Sequence, residues 1–392
     1  MLNQKLRASF SVGFVGCCFA IGFGISLLMR HPEKILVGDS LVKTATASLE
    51  SEEPKKLSTA QKENTAKSIV IKAVGDVIPG TNYPNYRLPN DYNNLIPKPV
   101  RGYLSEADIL FGNFETTLTN YRYSAKDVSR GQVFAFRSPP EYAKLFSEVG
   151  FNVFNIANNH ARDFGMVGFK DTMNNLKNTG IETLGHKNQI LFLEKNNNKI
   201  AMIGFAPYEF YNSIHDLETA KALVKKARKQ ANIVIISMHV GAEGTGALHT
   251  KNRTEYFYGE NRGNSIKFAR TMIDAGADLV LGHGPHVPRA MEMYKGKLIA
   301  YSLGNFLGYR TLSTVAQAGY SMILEVKMSP KGNVEKAKII PVRMDRQGIP
   351  YIDQNFNTVQ LVRYLNKTDF PDSSVKINQK GELIVAGNNQ KQ

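Results

Sequence analysis

NIANNHARDFG, residues 155–165, closes the apolar run FNVFNIA (151–157) with two asparagines, a histidine, an arginine and an aspartate. A short apolar run that breaks into hydrogen-bonding and metal-ligating groups is what a strand of an open α/β sheet looks like. Such strands deliver side chains to the crevice beyond their carboxyl ends. The pattern recurs along the chain. SIVIKAV (68–74) precedes Gly75-Asp76, and ADILFGN (107–113) ends at Asn113 with Glu115 just beyond. ANIVIISM (231–238) runs into His239, and ADLVLG (277–282) into His283, with His286 three residues on. KIAMIGFA (199–206) is a further strand of the same composition.

Helical patterns separate several of these strands: PEYAKLFSEVG (140–150), GFKDTMNNLKNTG (168–180) and LETAKALVKKARKQ (217–230), the last with a period near 3.6. Alternation of this kind predicts a sheet with helices on its faces. Later runs read as antiparallel hairpins. AMEMYKGKLIAYSLGNF (290–306) folds back at Tyr294-Lys295-Gly296-Lys297, and YSMILEVKM (320–328) is followed by VEKAKIIPVRM (334–344).

Five strand ends therefore carry Asp76, Asn113 with Glu115, Asn159 with His160, His239, and His283 with His286. Each alone has an ordinary structural role: an aspartate caps a turn, an asparagine satisfies loop backbone, a histidine packs. Their shared position in successive units points instead to one site. Carboxylate, amide oxygen and imidazole together suit a borderline-hard divalent ion such as Mn, Zn or Fe.

At 392 residues and 42% apolar, the chain is long enough to bury a full core. Its two cysteines, Cys17 and Cys18, lie in the apolar run 8–29, so the rest of the chain has none for a disulfide or thiolate site. That run follows Lys5 and Arg7 and is long enough for a bilayer-crossing helix, an uncleaved anchor or a signal peptide. The triplet Ala45-Thr46-Ala47 lies far beyond the apolar end, which favours the anchor, and a single N-terminal span is expected to leave the following domain outside the cytoplasmic membrane. The expected organisation is an anchor or signal segment at 1–32, a Ser/Thr/Glu/Lys-rich linker at 33–67, a main domain at 68–345 and a C-terminal extension at 346–392. The net charge of +15 fits anionic lipid or an acidic polymer as well as a generally basic surface. No recognition module and no basic stripe interleaved with aromatics speaks for nucleic acid.

Six motifs, in order, resemble the CapA family of bacterial capsule synthesis proteins: Gly75-Asp76, GNFE (112–115), ANNHARDFG (157–165), HVGAE (239–243), GHGPHV (282–287) and YSLGNF (301–306). The resemblance spans about residues 69–344. It implies capsule and poly-γ-glutamate biosynthesis or export, and membership of the calcineurin-like metallophosphatase superfamily with a four-layer αββα sandwich and one or two metal ions. By that resemblance, Asp76 would ligate a first metal and Asn159 and His239 a second. His283 and His286 would complete the ions, His160 would be the general acid, and Asp163 would orient it. Three departures stand out: Val77 and Ile78 offer no histidine after Asp76, Asn113 replaces a bridging aspartate with Glu115 two residues on, and Gly284 replaces the histidine before the fifth motif's proline. They leave the number of ions open.

Two functions are expected. One is a metal-dependent hydrolase acting outside the membrane on a phosphoester or on the γ-amide of an acidic polymer. The other is a binding module that holds such a polymer, poly-γ-glutamate for instance, during export or anchoring, alongside membrane-bound capsule synthesis subunits. Arg162 is a candidate anion contact or a solvated cation, and Tyr256-Phe257-Tyr258 a stacking lid or loop anchors.

Overall fold

The apolar runs become the parallel centres of two sheets in a computed structural model that describes residues 65–385. In the first sheet the strands Ile69–Ile78, Ile109–Phe114, Val153–Asn155 and Glu182–Leu184 lie side by side and parallel. Tyr320–Met328, Val334–Met344 and Pro350–Ile352 extend it antiparallel on the other side of Ile69–Ile78. In the second sheet Asn198–Ala206, Ile233–His239, Leu279–His283 and Lys297–Ala300 are parallel, with Leu191–Lys195 and Met291–Tyr294 as antiparallel edges. The central strands are buried on both faces, which explains why they read as continuous apolar runs rather than as alternation.

One core lies between the sheets, where Ile71, Ala73 and Phe111 of the first meet Met202, Ile235 and Leu281 of the second. The outer face of the first sheet buries Leu110, Phe114 and Phe154 with Phe146 of the helix Tyr142–Val149 and Phe169 and Leu176 of Gly165–Asn178. The outer face of the second buries Ile203, Val234 and Ile236 against Val224 of Leu217–Arg228 and Phe268 and Met272 of Ser265–Asp274. The architecture is thus a four-layer αββα sandwich. Leu217–Arg228 has a complete set of end signals: Asp216 accepts from the Thr219 N–H, Glu218 is in the first turn, and Lys225, Lys226 and Arg228 are in the last.

Beyond Met344 the chain stays in the sandwich. Asp353 accepts from the Asn355 and Asn357 N–H groups, and the helix Asn357–Asp369 sends Val359 and Val362 into the inter-sheet core. The apolar run 8–29 and the linker up to residue 64 lie outside the described residues, and no helix among the described residues is long and apolar enough to cross a membrane.

The glycine before a strand-end polar residue has a steric cause. A Cβ at Gly75 would collide with the Gly304 carbonyl, to which the Asp76 N–H donates at 2.9 Å. This contact seats the short strand Asn305–Gly308 parallel to Ile69–Ile78, with Asn305 opposite Asp76. Gly282, before His283, meets the Tyr301 carbonyl in the same way. Gly75→Ala is expected to cost about 3 kcal/mol, the upper end of the overpacking range, in urea denaturation. A loss below about 0.5 kcal/mol would mean that the strand shifts freely.

Candidate metal centre

The sheets bring their carboxyl ends to one seam. Asp76 and Glu115 come from the first sheet and His239 from the second, all fully buried, with one ligand atom of each within 4.8 Å of the others. His286, in the loop after Leu279–His283, places Nδ1 3.1 Å from Asp76 Oδ2 and Nε2 3.6 Å from Glu115 Oε1. Glu115 Oε1 and His239 Nε2 are buried without a hydrogen-bond partner, and Asp76 Oδ2 has the His286 ring beside it; Asn159 Oδ1, on the cleft side, is also buried and unpartnered. Each such orphan costs on the order of 1–3 kcal/mol, so a cation joining the acceptors of Asp76, Glu115 and His239 would stabilise them. Two carboxylate oxygens and an imidazole nitrogen suit a divalent cation.

The protons of the cluster say the same. Burial pushes Glu115 well above the usual carboxylate range, His286 opposes this, and Asp76 and Glu243 add to it. Burial would also raise Asp76, but the contact with His286 and its positive charge hold it at about 2. His286 stays charged well above its ordinary range despite burial, because Glu115, Asp76 and Glu243 surround it, whereas burial holds His239 well below.

Asn113 is held by a chain of amides. Asn158 Oδ1 accepts from the His160 and Ala161 N–H groups, which leaves its Nδ2 to donate to Asn113 Oδ1 at 3.1 Å. Asn155 donates to the same oxygen at 2.9 Å. Asn113 therefore turns its Nδ2 to Asp76 Oδ1 at 2.8 Å and, more distantly, Glu115 Oε2 at 3.4 Å. It donates to ligands in this arrangement and presents no oxygen to the centre. His283, in register with His239, turns the other way and hydrogen-bonds through Nε2 to the Val74 carbonyl at 3.1 Å, across the inter-sheet core. Burial lowers its pKa.

Asn159 and His160 open onto a cleft of roughly 830 Å³ beside the centre. The Nδ1 of His160 lies 2.8 Å from Asp163 Oδ2, and its ring lies on Phe136 at 4.5 Å between centroids. Asp163 also pairs with Lys126 at 2.6 Å, and Lys126 donates to the Asn159 carbonyl at 2.9 Å. Burial lowers the His160 pKa, with Asp163 opposing and Lys126 assisting. The other wall is the hairpin Glu255–Phe257 and Glu260–Gly263, which puts Phe257, Tyr258 and Arg262 on the cleft. Tyr256 faces solvent, and Arg162 lies over the Phe210 ring at 3.7 Å. Arg262 pairs with Glu243 and Glu260, both at 2.9 Å. Arg289, fully buried, grips Glu255 with two bonds of 2.8 and 2.7 Å and donates to the Ala242 carbonyl.

Glu243 and Asn305 stood inside motifs that the sequence singles out, yet nothing in their spacing marked them. Lys126, from a loop, and Arg262, from the hairpin strand Glu260–Gly263, lie in polar stretches of sequence without periodicity. A buried asparagine or arginine carries no sequence signal until its partner is placed.

The family model described as "Bacterial capsule synthesis protein PGA_cap" matches residues 70–310. The PGA biosynthesis protein CapA of Bacillus subtilis (strain 168) is 30% identical over 221 residues, 51% of this chain and 53% of that protein. The capsule biosynthesis protein CapA of Bacillus anthracis is 27% identical over 273 residues, 63% of this chain and 61% of that protein. The matched part thus spans between about half and three-fifths of the length of these relatives. Among solved structures, a 5'-nucleotidase precursor from Thermus thermophilus aligns with a TM-score of 0.41 at 12% identity, over 77% of this chain and 59% of that one. Haemophilus influenzae NAD nucleotidase aligns at 0.39 and 13%, over 77% and 56%.

Proposed function

From the premise that the chain belongs to the bacterial capsule synthesis protein family PGA_cap, we propose that its domain is a metal-dependent hydrolase acting on an acidic polymer of capsule or poly-γ-glutamate type. The substrate bond is a γ-glutamyl amide or a phosphoester. The observation that carries this reading is the buried Asp76, Glu115 and His239 cluster, with Glu115 Oε1 and His239 Nε2 unpartnered, next to a cleft that His160 lines. In this reading the run 8–29 anchors the chain, the domain lies outside the cytoplasmic membrane, and membrane-bound capsule synthesis subunits are its neighbours.

Asp76, Glu115 and His239 would hold the ion, with His286 against Asp76 and Glu115. A bound Mn, Zn or Fe ion would supply Lewis acidity and lower the pKa of water. His160 protonates the leaving group through Nε2, since Nδ1 is engaged by Asp163. Lys126 fixes Asp163, and the aromatic hairpin narrows access for bulk water.

One observation favours the non-catalytic alternative, a module that holds the polymer without turnover: the amide N–H of Asn113 stands where a bridging carboxylate would neutralise a second ion. Against it, Lys126 and Arg262 are already paired with carboxylates, so they are not free to grip an anionic chain.

Elemental analysis of the purified full chain, beside a His239→Ala/His286→Ala double variant, tests the proposal. Stoichiometric Mn, Zn or Fe that disappears in the variant is the expected result. No metal, even after reconstitution, would remove the hydrolase mechanism and leave the binding module.

A further inference from the structure

His286 has a backbone φ of +58°, in the left-handed region that few non-glycine residues occupy, and its ring spans Asp76 and Glu115. Something must hold both the peptide and the ring. Asn305 touches both, and it is fully buried. Its Nδ2 donates to the His286 carbonyl at 3.1 Å and to the Ala318 carbonyl at 3.1 Å, while its Oδ1 lies 2.8 Å from His286 Nδ1.

Two backbone carbonyls have no proton to give, so they fix which end of the Asn305 amide is nitrogen. The remaining Oδ1 can only accept, and so can Asp76 Oδ2, 3.1 Å from the same nitrogen, so His286 Nδ1 carries a hydrogen for which Asn305 is the nearer acceptor. That leaves Nε2 facing Glu115 at 3.6 Å and Glu243 at 3.7 Å, on the side of the centre and the cleft. Asn305 occupies this place because Gly75 lets the strand Asn305–Gly308 close against Ile69–Ile78.

We propose that Asn305 is a positioning residue that locks His286 with its Nδ1 protonated and its Nε2 turned to the metal, holding the left-handed peptide with the same amide. This rests on the metal-centre reading and adds to it the residue that sets the orientation of one ligand. Partners of this kind behind a histidine ligand typically matter by about 10–100-fold in metal affinity.

The test uses the full chain with ¹⁵N-labelled histidine, His286→Gln to assign the His286 signals, and the variants Asn305→Leu and Asn305→Asp. Asn305→Leu removes every hydrogen bond, whereas Asn305→Asp keeps the acceptor for Nδ1 and loses the two donations. In metal-free protein, a slowly exchanging His286 Nδ1 proton is expected in the wild type and in Asn305→Asp; in Asn305→Leu, where only Asp76 Oδ2 remains to accept, it is expected to shift and to exchange faster. Zn²⁺ affinity, by competition with a chelator, is expected to fall about 10–100-fold in Asn305→Leu and less in Asn305→Asp. An unchanged Nδ1 signal and unchanged affinity in Asn305→Leu would overturn the proposal. So would equal losses in both variants, which would reduce Asn305 to a backbone support. If the wild type binds no Zn²⁺, the metal-centre reading fails, and the Nδ1 signal alone then decides whether Asn305 holds the ring.

Discussion

Replacing His160 with glutamine is expected to lower turnover about 10²–10⁴-fold while metal content stays at the wild-type level. Its Nδ1 is engaged by Asp163 and its ring rests on Phe136, so it borders the cleft without joining the Asp76, Glu115 and His239 cluster. Turnover should be measured on γ-glutamyl amides and on phosphoesters, with metal content measured on the same preparations. The pH dependence has a definite sign. Burial lowers the His160 pKa, and the acid form exists below that pKa, so turnover falls as pH rises through it. The charge of Lys126 pushes in the same direction, so Lys126→Met should move the descending limb to higher pH. Full activity in His160→Gln would remove it as the acid. A wild-type chain that binds metal but turns over neither class would favour the binding module.

The second large effect is structural. Arg289→Ala is expected to cost about 3–5 kcal/mol, because it strands the carboxylate of Glu255 in a site that excludes water. Arg289 is fully buried and Glu255 is only 10% exposed, so neither group is left in water when the other is removed. The pair also ties the cleft hairpin to the loop after Ile233–His239 through the Ala242 carbonyl. The variant should therefore expose residues 255–263 to limited proteolysis as well as shift the urea midpoint. Arg289→Met combined with Glu255→Gln should recover part of the loss, since no unpaired charge remains. A cost under about 1 kcal/mol would show that water reaches Glu255.

The strands were legible because burial on both faces leaves uninterrupted apolar runs, and several ligand-bearing strand ends are marked by a break from β-branched residues into Gly-Asp, Gly-Asn or Gly-His; that they stack as a four-layer sandwich came from the family resemblance. That signal located Asp76, Asn113 and His283 at strand ends, with Glu115 and His286 just beyond, while His239 closes its apolar run without a glycine. It could not say which atom each would present. Asn113 faces the centre with its nitrogen only because Asn158 reads two loop N–H groups, and His283 turns to Val74 although its register neighbour His239 turns to the cluster. The helix Ser265–Asp274 escaped the sequence reading although Gly263-Asn264 before it and Gly276 after it are start and stop signals, because the long polar stretch ahead of it read as loop. The part played by residues 350–385 was hidden as well, since the polar surface of their helix and hairpin outweighs the few apolar residues that reach the core.

The seam between the sheets also governs when the centre can come into being. Asp76 is made early, His239 and His286 much later, and Asn305 later still, on a strand that closes directly against Asp76. Pairings between such distant segments form late in folding, after the entropy of closing the intervening chain has been overcome. A polypeptide still being synthesised, with residue 305 inside the ribosome, has the residues of the cluster but not the strand that closes against Asp76. Any ion the cluster takes would therefore be held only once the domain is complete.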